Sequence, residues 1–527
     1  MPKLAARLIA THRLLIVIVA LALALRLVLL PFIQHPGIAD PNHYYDVGRQ
    51  LAAGHGFTLD YIWQYDRPPA SVVHPEDSWM PLTSVLAAVP MAIFGVNVQA
   101  ALLLFVLIGA LLPVVTYLWA LQLYGSPRTA LFAAAFAAVL PEFLLNSLRT
   151  DTTLPNALFV CAHLMLLTLG LRRGKPLAFA LSGVAAGLSY LTRNENTLLL
   201  LPFALTLAVY ALLSRRAIRW RYVLLVPLLA LVVASPWLVR NIRLYGRAST
   251  LDMSRLLFRS TLLDFYSYNR EFSLQSLLAS QSVGQLIGKR LFEMAASAKL
   301  MYTTLDVFLP VAVAGGLILL VIFDRERLLI LSPVLILLAA MFLFYSILLP
   351  FYSQSGSFKK AYLTLIPMLL PLGAYAVEHV VANRRAQIGV VALAVLFTGA
   401  NAVELVRADA RFTNTYLAEM RKVAALVQSL PDLNGDGQRI LMAQDQFMLS
   451  FLGIQSVAIP NESRETILDV ARRYHADYLM FPPARPALDP LDQGAETDPR
   501  FALVARVPGT LVSIYRFVFP SAPSAVF

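Results

Sequence analysis

Between Ile33 and Met80 the chain gathers Asp40, Asp46, Asp60, Asp66, Glu76 and Asp77 with His43, His55 and His74. Tyr44, Tyr45, Tyr61, Trp63 and Trp79 are interleaved among them. Carboxylates and imidazoles are the usual general acids and bases, and a plain connector would need neither. Long loops in a compact architecture are usually functional or disordered, and the aromatics with the helical run at Val47–Ala53 argue for order. Four further clusters carry charge: Arg149 with Asp151, Arg193 with Glu195, Arg240 with Arg243, and SQSGSFKK from Ser353 to Lys360. A carboxylate can take the proton of an attacking hydroxyl, while Arg and Lys can neutralise a departing phosphate. Singly, each cluster reads as loop charge flanking a helix end. Gathered on one face, they are what transfer from a phosphate-linked donor requires.

The elements that must position these groups are membrane helices. Of 527 residues, 58% are hydrophobic and 14% charged, whereas soluble domains run nearer to about half and a quarter. The formal net charge of +12 resides mostly in short basic connectors, as membrane topology dictates. No basic face or motif points to nucleic acid. The single cysteine, Cys161, excludes an intramolecular disulfide and a cysteine-based zinc site. The basic start (Lys3, Arg7, Arg13) precedes an apolar run to Phe32 that lacks a small-residue cleavage site, so it reads as a retained first helix.

About eleven apolar runs are long enough to span or nearly so, from Leu14–Phe32 to Ile388–Val406, with Leu177–Leu191 and Thr303–Phe323 among them. Pro81–Gly95 reads as an interfacial or re-entrant helix. Charge bias sets the orientation. With the N-terminus cytoplasmic, the basic connectors Tyr124–Arg128, Arg172–Lys175, Ser214–Arg221, Asp324–Arg327 and Asn383–Arg385 all lie inside. Residues 33–80, 240–300 and the tail then lie outside. Residues 250–299 read as short amphipathic surface helices. Gly183 and Gly187 form a small-xxx-small pair that allows close helix packing.

From Ala408 the composition turns soluble. Val423, Leu426, Val427 and Leu430 mark a helix face, RILMA, SVAIP, DYLMFP, FALVARV and LVSIYRFVF read as strands, and Glu462–His475 reads as a helix. The expected organisation is a multi-pass transmembrane domain over 1–407 and an extracytoplasmic α/β domain over 408–527. DLNGDG at Asp432–Gly437 opens like a calcium loop, but Ala443 stands where its closing glutamate would be, so a plain Asp-Gly turn is the better reading.

In order along the chain come Asp40, the Tyr44–Tyr45 pair, LAAGHGF (Leu51–Phe57), a Pro-initiated helix ending in Phe-Gly (Pro81–Gly95), Asp151, LTRNENTLLLLP (Leu191–Pro202) and PWLVRNIRLYG (Pro236–Gly246). A weaker echo lies at Ser357–Pro371. This ordered set resembles the GT-C superfamily of polyprenyl-phosphate-sugar glycosyltransferases, with bacterial protein mannosyltransferase-like and aminoarabinose-transferase-like members nearest. The resemblance covers about the first half of the chain. It implies a GT-C-like polytopic helical fold in the plasma or inner membrane. It also implies inverting transfer on the extracytoplasmic side from a polyprenyl-phosphate sugar to a glycan, lipid or protein acceptor.

Asp40 maps onto the family's catalytic acid, as the general base, and Asp151 onto its second acid. Arg193, Arg240, Lys359 and Lys360 are phosphate candidates, and Tyr44, Tyr45, His74 and Glu195 join the expected substrate-binding set. Asp46, Asp60 and Asp66 fall to loop structure, while Glu76 and Asp77 stay undecided. Pro41 stands where a second acid commonly follows the first, which weakens a paired-acid metal site. Whether a divalent metal ion takes part is left open. The competing reading is a transporter or flippase for lipid-linked or sugar substrates. No internal repeat is visible, however, and the acids sit at the outer edge rather than the midplane.

Overall fold

The structure, a computed structural model, describes residues 2–214, 217–250, 253–306, 308–349 and 356–519. Arg215 and Arg216 of the basic connector and Ser353–Ser355 of SQSGSFKK lie outside them. The first helix, α1 (Pro2–Leu29), leads through the loop helices α2 (Asp40–Ala52) and α3 (Leu82–Phe94) to α4 (Val98–Tyr124), α5 (Pro127–Val139), α6 (Pro141–Asn146), α7 (Thr153–Arg173) and α8 (Pro176–Tyr190). Then follow α9 (Leu200–Leu213), α10 (Trp220–Val223), α11 (Leu225–Tyr245), α12 (Met253–Phe258), α13 (Leu274–Ser280) and α14 (Val283–Thr303). The helical part closes with α15 (Leu309–Phe323), α16 (Arg325–Leu343), α17 (Ser357–Val380) and α18 (Arg384–Ser429).

Among the described residues, eight helical stretches are long and apolar enough to cross a membrane. The expected runs at α5, α8 and α15 form shorter apolar helices, as does α3. The protein is a multi-pass membrane protein of the helical class its sequence predicts.

Local chemistry explains the helix ends. Asn97 caps α4 by accepting from the Ala100 amide at 2.8 Å. Pro127 opens α5 behind Ser126, whose hydroxyl accepts from Thr129 N at 3.2 Å. Pro141 starts a new helix where α5 would continue, leaving carbonyls without partners. Arg26, fully buried in α1, answers one of them by donating to Ala138 O at 3.1 Å. The Gly183–Gly187 pair does what its spacing predicts. A Cβ on either would meet carbonyl oxygens of α11 within 2.8 Å, at Val226 and Ala230, so α8 and α11 touch backbone to backbone.

The soluble part is built on a six-stranded sheet. Its strands are β2 (Tyr61–Ile62), β4 (Ile440–Ala443), β5 (Ser456–Ala458), β6 (Ala476–Phe481), β7 (Phe501–Arg506) and β8 (Ser513–Phe517), in the order β2-β5-β4-β6-β8-β7. β1 (Thr58–Leu59) and β3 (His74–Pro75) make a separate small ladder in the first loop. β4, β5 and β6 pair in parallel; β8 joins β6 and β7 antiparallel. Helices α19 (Gln446–Phe451) and α20 (Arg464–Arg473) flank the sheet. All five strands expected in the tail are present, as is the helix within Glu462–His475.

Two features tie this part to the rest. β2 comes from the first loop and pairs in parallel with β5, Tyr61 opposite Ser456 and Ile62 opposite Val457. The composition change at Ala408 falls inside α18, which runs unbroken for 46 residues, about 69 Å at ~1.5 Å per residue.

Candidate functional site

Asp40 is the first residue of α2, preceded by Ala39 in a positive-φ conformation (φ 61) and followed by Pro41 at a helix-opening position. Across from it, Asp151 sits just before α7, and Lys360 lies in the first turn of α17. The Lys360 ammonium bridges the two acids, at 3.0 Å from Asp40 Oδ2 and 2.6 Å from Asp151 Oδ2. The acids are not equivalent. Asp151 is 2% exposed, and its other oxygen accepts from the Thr153 amide at 2.8 Å and hydroxyl at 2.5 Å. Burial opposes its ionisation, but Lys360 and Thr153 outweigh burial and hold the carboxyl down at about 2. Asp40 is 48% exposed and faces a cavity of about 480 Å³. Of the two acids, Asp40 is the one open to the cavity.

Around this cavity the structure also gathers Tyr44, Arg193, Glu195 and Tyr345. Arg193 grips Glu195 through two bonds, of 2.6 and 2.7 Å, and reaches Thr152 Oγ1 at 2.9 Å. Tyr345 donates to Glu195 Oε2. It stands in a π-helical turn, Phe344–Leu348, at the end of α16, a distortion common at functional sites because it re-aims side chains. Behind the cavity, Asn156 of α7 donates to Thr364 Oγ1 on α17 at 3.1 Å. Its oxygen accepts from Thr192 (3.2 Å) and Asn196 (2.6 Å). The segments carrying Asp151, Lys360 and Glu195 are thus locked together one layer below the site.

Several expected site residues do not line the cavity. Tyr45 packs in an apolar cluster against Phe451, ring centroids 5.4 Å apart. His74 bonds the Val72 carbonyl at 2.8 Å. Lys359 pairs with Glu142 at 2.5 Å, because consecutive helical residues point in different directions and Lys360 takes the inward one. Arg240 donates to the Glu76 carbonyl at 2.7 Å and lies 4.3 Å over the Trp237 ring, so it braces the loop. Arg149 pairs with Asp409 on α18.

The remaining loop acids sort by contact. Asp46 is buried 3.7 Å from Arg49, and burial pushes its carboxyl well above the usual range. Asp60 accepts from Ser450 Oγ at 2.6 Å, and Asp66 faces Arg259 while also touching the cavity. Glu76, undecided from sequence, holds His43 Nε2 at 2.8 Å and accepts from the Ser78 and Trp79 amides at 2.7 and 2.8 Å. Burial opposes its charge, but His43 and these amides prevail and set it at about 2.

Among the cavity residues that sequence reading missed are Tyr345 and Phe447. Tyr345 was hidden in an apolar run, where an aromatic near a helix end reads as a membrane-interface anchor. Phe447 belongs to α19 in the tail, and nothing in its local pattern points to the loop. A metal fits poorly. No group of three or more His, Cys, Asp or Glu able to hold an ion occurs among the described residues, and an ammonium already fills the space between the two acids.

With this geometry in view, comparison with known proteins places the fold. The family described as dolichyl-phosphate-mannose-protein mannosyltransferase matches residues 73–239. The apo structure of ArnT from Cupriavidus metallidurans is similar over 96% of this chain and 98% of its own, with TM-score 0.61 and 16% identity. Its complex with undecaprenyl phosphate gives TM-score 0.60 at 15% identity, over 95% and 97% of the two chains. The Archaeoglobus fulgidus oligosaccharyltransferase, tethered with an acceptor peptide, matches 89% of this chain and 68% of its own, with TM-score 0.59 and 13% identity. The chain therefore has the GT-C fold of these structures. In sequence it is similar to the undecaprenyl phosphate-alpha-4-amino-4-deoxy-L-arabinose arabinosyl transferase of Pseudomonas paraeruginosa, 29% identical over 211 residues. That alignment spans 38% of this chain and 35%, about a third, of the curated relative.

Proposed function

We propose that the protein is an inverting glycosyltransferase that moves a sugar from a polyprenyl-phosphate donor to an envelope acceptor on the extracytoplasmic face. The observation that carries this reading is the pair of unequal carboxylates joined by Lys360 at the cavity edge. An acceptor hydroxyl attacks the anomeric carbon as the carbon–oxygen bond to phosphate breaks; Asp40 takes the hydroxyl proton, and polyprenyl phosphate leaves with the bonding electrons. Asp151 stays ionised and fixes Lys360. The ammonium can then turn towards the departing phosphate as charge grows there, freeing Asp40 at the moment a base is needed. Arg193, steadied by Glu195, adds positive potential from the facing wall.

Basic connectors on the opposite side support a cytoplasmic N-terminus and an outward C-terminal domain. The donor is a membrane lipid reached from the bilayer, and the acceptor is a glycan, lipid or protein.

Purified protein given a polyprenyl-phosphate sugar and envelope acceptors should release polyprenyl phosphate. Asp40→Asn should lower this roughly 10²–10⁴-fold, the range of a lost general base, with an unchanged thermal transition. Full turnover by a folded Asp40→Asn protein would remove Asp40 as the base. A reporter inserted at Gly435 should signal an outer location; a cytoplasmic signal would reverse the orientation.

A further inference from the structure

The transfer chemistry uses one side of the cavity and leaves an aromatic wall without a role. Trp63, Trp79, Phe265 and Phe447 turn half-buried rings to it. Trp79 and Phe447 lie nearly parallel, 27° apart with centroids at 5.8 Å, and Trp63 stands 5.3 Å from Trp79. The Tyr44 ring, 5.4 Å from Trp79, joins this wall to the helix that opens at Asp40. Phe447 arrives from the other end of the chain and is held firmly. Its carbonyl accepts from Asn42 Nδ2 on α2, and Ser450 in the same helix accepts from Arg49 Nη2 at 3.2 Å.

We propose that Trp63, Trp79 and Phe447 form a stacking wall for a pyranose ring, so that the C-terminal domain completes the sugar subsite. The proposal rests on the transferase reading for the class of ligand. A pyranose ring presents C–H groups with partial positive charge on its flat faces, which suit the negative face of an aromatic ring. Its hydroxyls point sideways, where Gln64, Asp66 and Asp77 supply acceptors along the cavity lining. A lipid tail would strip water from these polar groups, and the phosphate of a donor has Arg193 on the same lining to meet it. A cavity of about 480 Å³ lies within the usual ~300–1,000 Å³ of small-molecule sites. The occupant is the sugar of the donor or that of the acceptor.

Intrinsic fluorescence of the full chain in nanodiscs tests this, because Trp63 and Trp79 are two of only five tryptophans. The probes are methyl pyranosides of glucose, mannose, galactose and arabinose, then undecaprenyl phosphate with and without a linked sugar. At least one sugar-bearing probe should change the signal saturably. Trp79→Leu should abolish the change. Phe447→Leu, which keeps apolar volume, should weaken binding roughly 3- to 10-fold, and Phe447→Tyr should restore it. If loaded lipid displaces the pyranoside and bare undecaprenyl phosphate does not, the wall holds the donor sugar. If pyranoside binds beside loaded lipid, it holds the acceptor sugar. No response to any sugar, or wild-type binding by both Leu variants, overturns the proposal. Sugar binding without release of polyprenyl phosphate would keep the wall and sink the transferase reading. Transfer with unchanged KM for both substrates in the Leu variants would do the reverse.

Discussion

Lys360 is the residue on which the proposed site turns. Carboxylates at 3.0 and 2.6 Å from one ammonium would repel each other without it, and one would take up a proton. Lys360→Met should therefore lower transfer at least as far as Asp40→Asn does, in the release assay. Lys360→Arg should recover only part, because a planar fork does not reproduce a compact charge between two oxygens. A second residue-scale expectation concerns acid. Glu76 has a folded value of about 2 against an ordinary 4.5. A carboxyl depressed by folding stabilises the native state above its unfolded value and loses that contribution as pH falls through the folded one. Thermal stability should thus fall as pH drops from 4.5 to about 2, and Glu76→Gln should be less stable near neutrality and flatter across that window. The sequence pointed to Asp40, Asp151 and Lys360 through family resemblance, yet not to the bridge between them, since residues 320 positions apart carry no local sign of contact. It also could not separate Lys359 from Lys360; helical phase decided that.

Among the elements, α8 and α11 make a sharp test of packing. Gly183→Leu would drive a side chain into the Val226 carbonyl, 2.6 Å from the new Cβ. Overpacking of this kind costs about 1–3 kcal/mol or more, so the detergent-solubilised protein should show a lower Tm. Gly288→Leu on α14, where nothing lies within 4 Å of an added Cβ, should leave it unchanged. The spacing at Gly183 and Gly187 was legible as a pair that permits close packing, but such pairs are common by chance, so the partner helix was not. The eleven apolar runs were legible because lipid demands a continuous apolar surface. The unbroken course of α18 was not, because composition reports what surrounds a helix and changes at Ala408, whereas the backbone continues. The π turn at Phe344–Leu348 escaped too, since an extra residue in one turn leaves apolar content unaltered.

For the whole molecule, the membrane bundle and the sheet are one object. The pairing of β2 with β5 can be checked directly by replacing Ile62 and Val457, register partners with buried side chains, by cysteines in a Cys161→Ala background. Adjacent strands meet the ~4.4–6.8 Å Cα separation a disulfide needs, so mild oxidation should join the two halves after proteolytic cleavage between them. Fragments that separate on a non-reducing gel would contradict the pairing. Two residues of strand in a polar loop carry too little pattern to be read from sequence, and their partner lies far along the chain. The tail strands themselves were readable by their β-branched and aromatic runs.

That pairing also dictates when the protein becomes competent during its own manufacture. Tyr61 leaves the ribosome early and waits for Ser456, which at ~5–20 residues per second means on the order of 20–80 s. Over that interval most of the membrane helices can insert, while the loop bearing Asp40 lacks its edge partner and the cavity lacks Phe447. A ribosome that stalls before Ser456 would leave an inserted but unfinished protein. The last quarter of the gene thus acts as a release check on the first tenth.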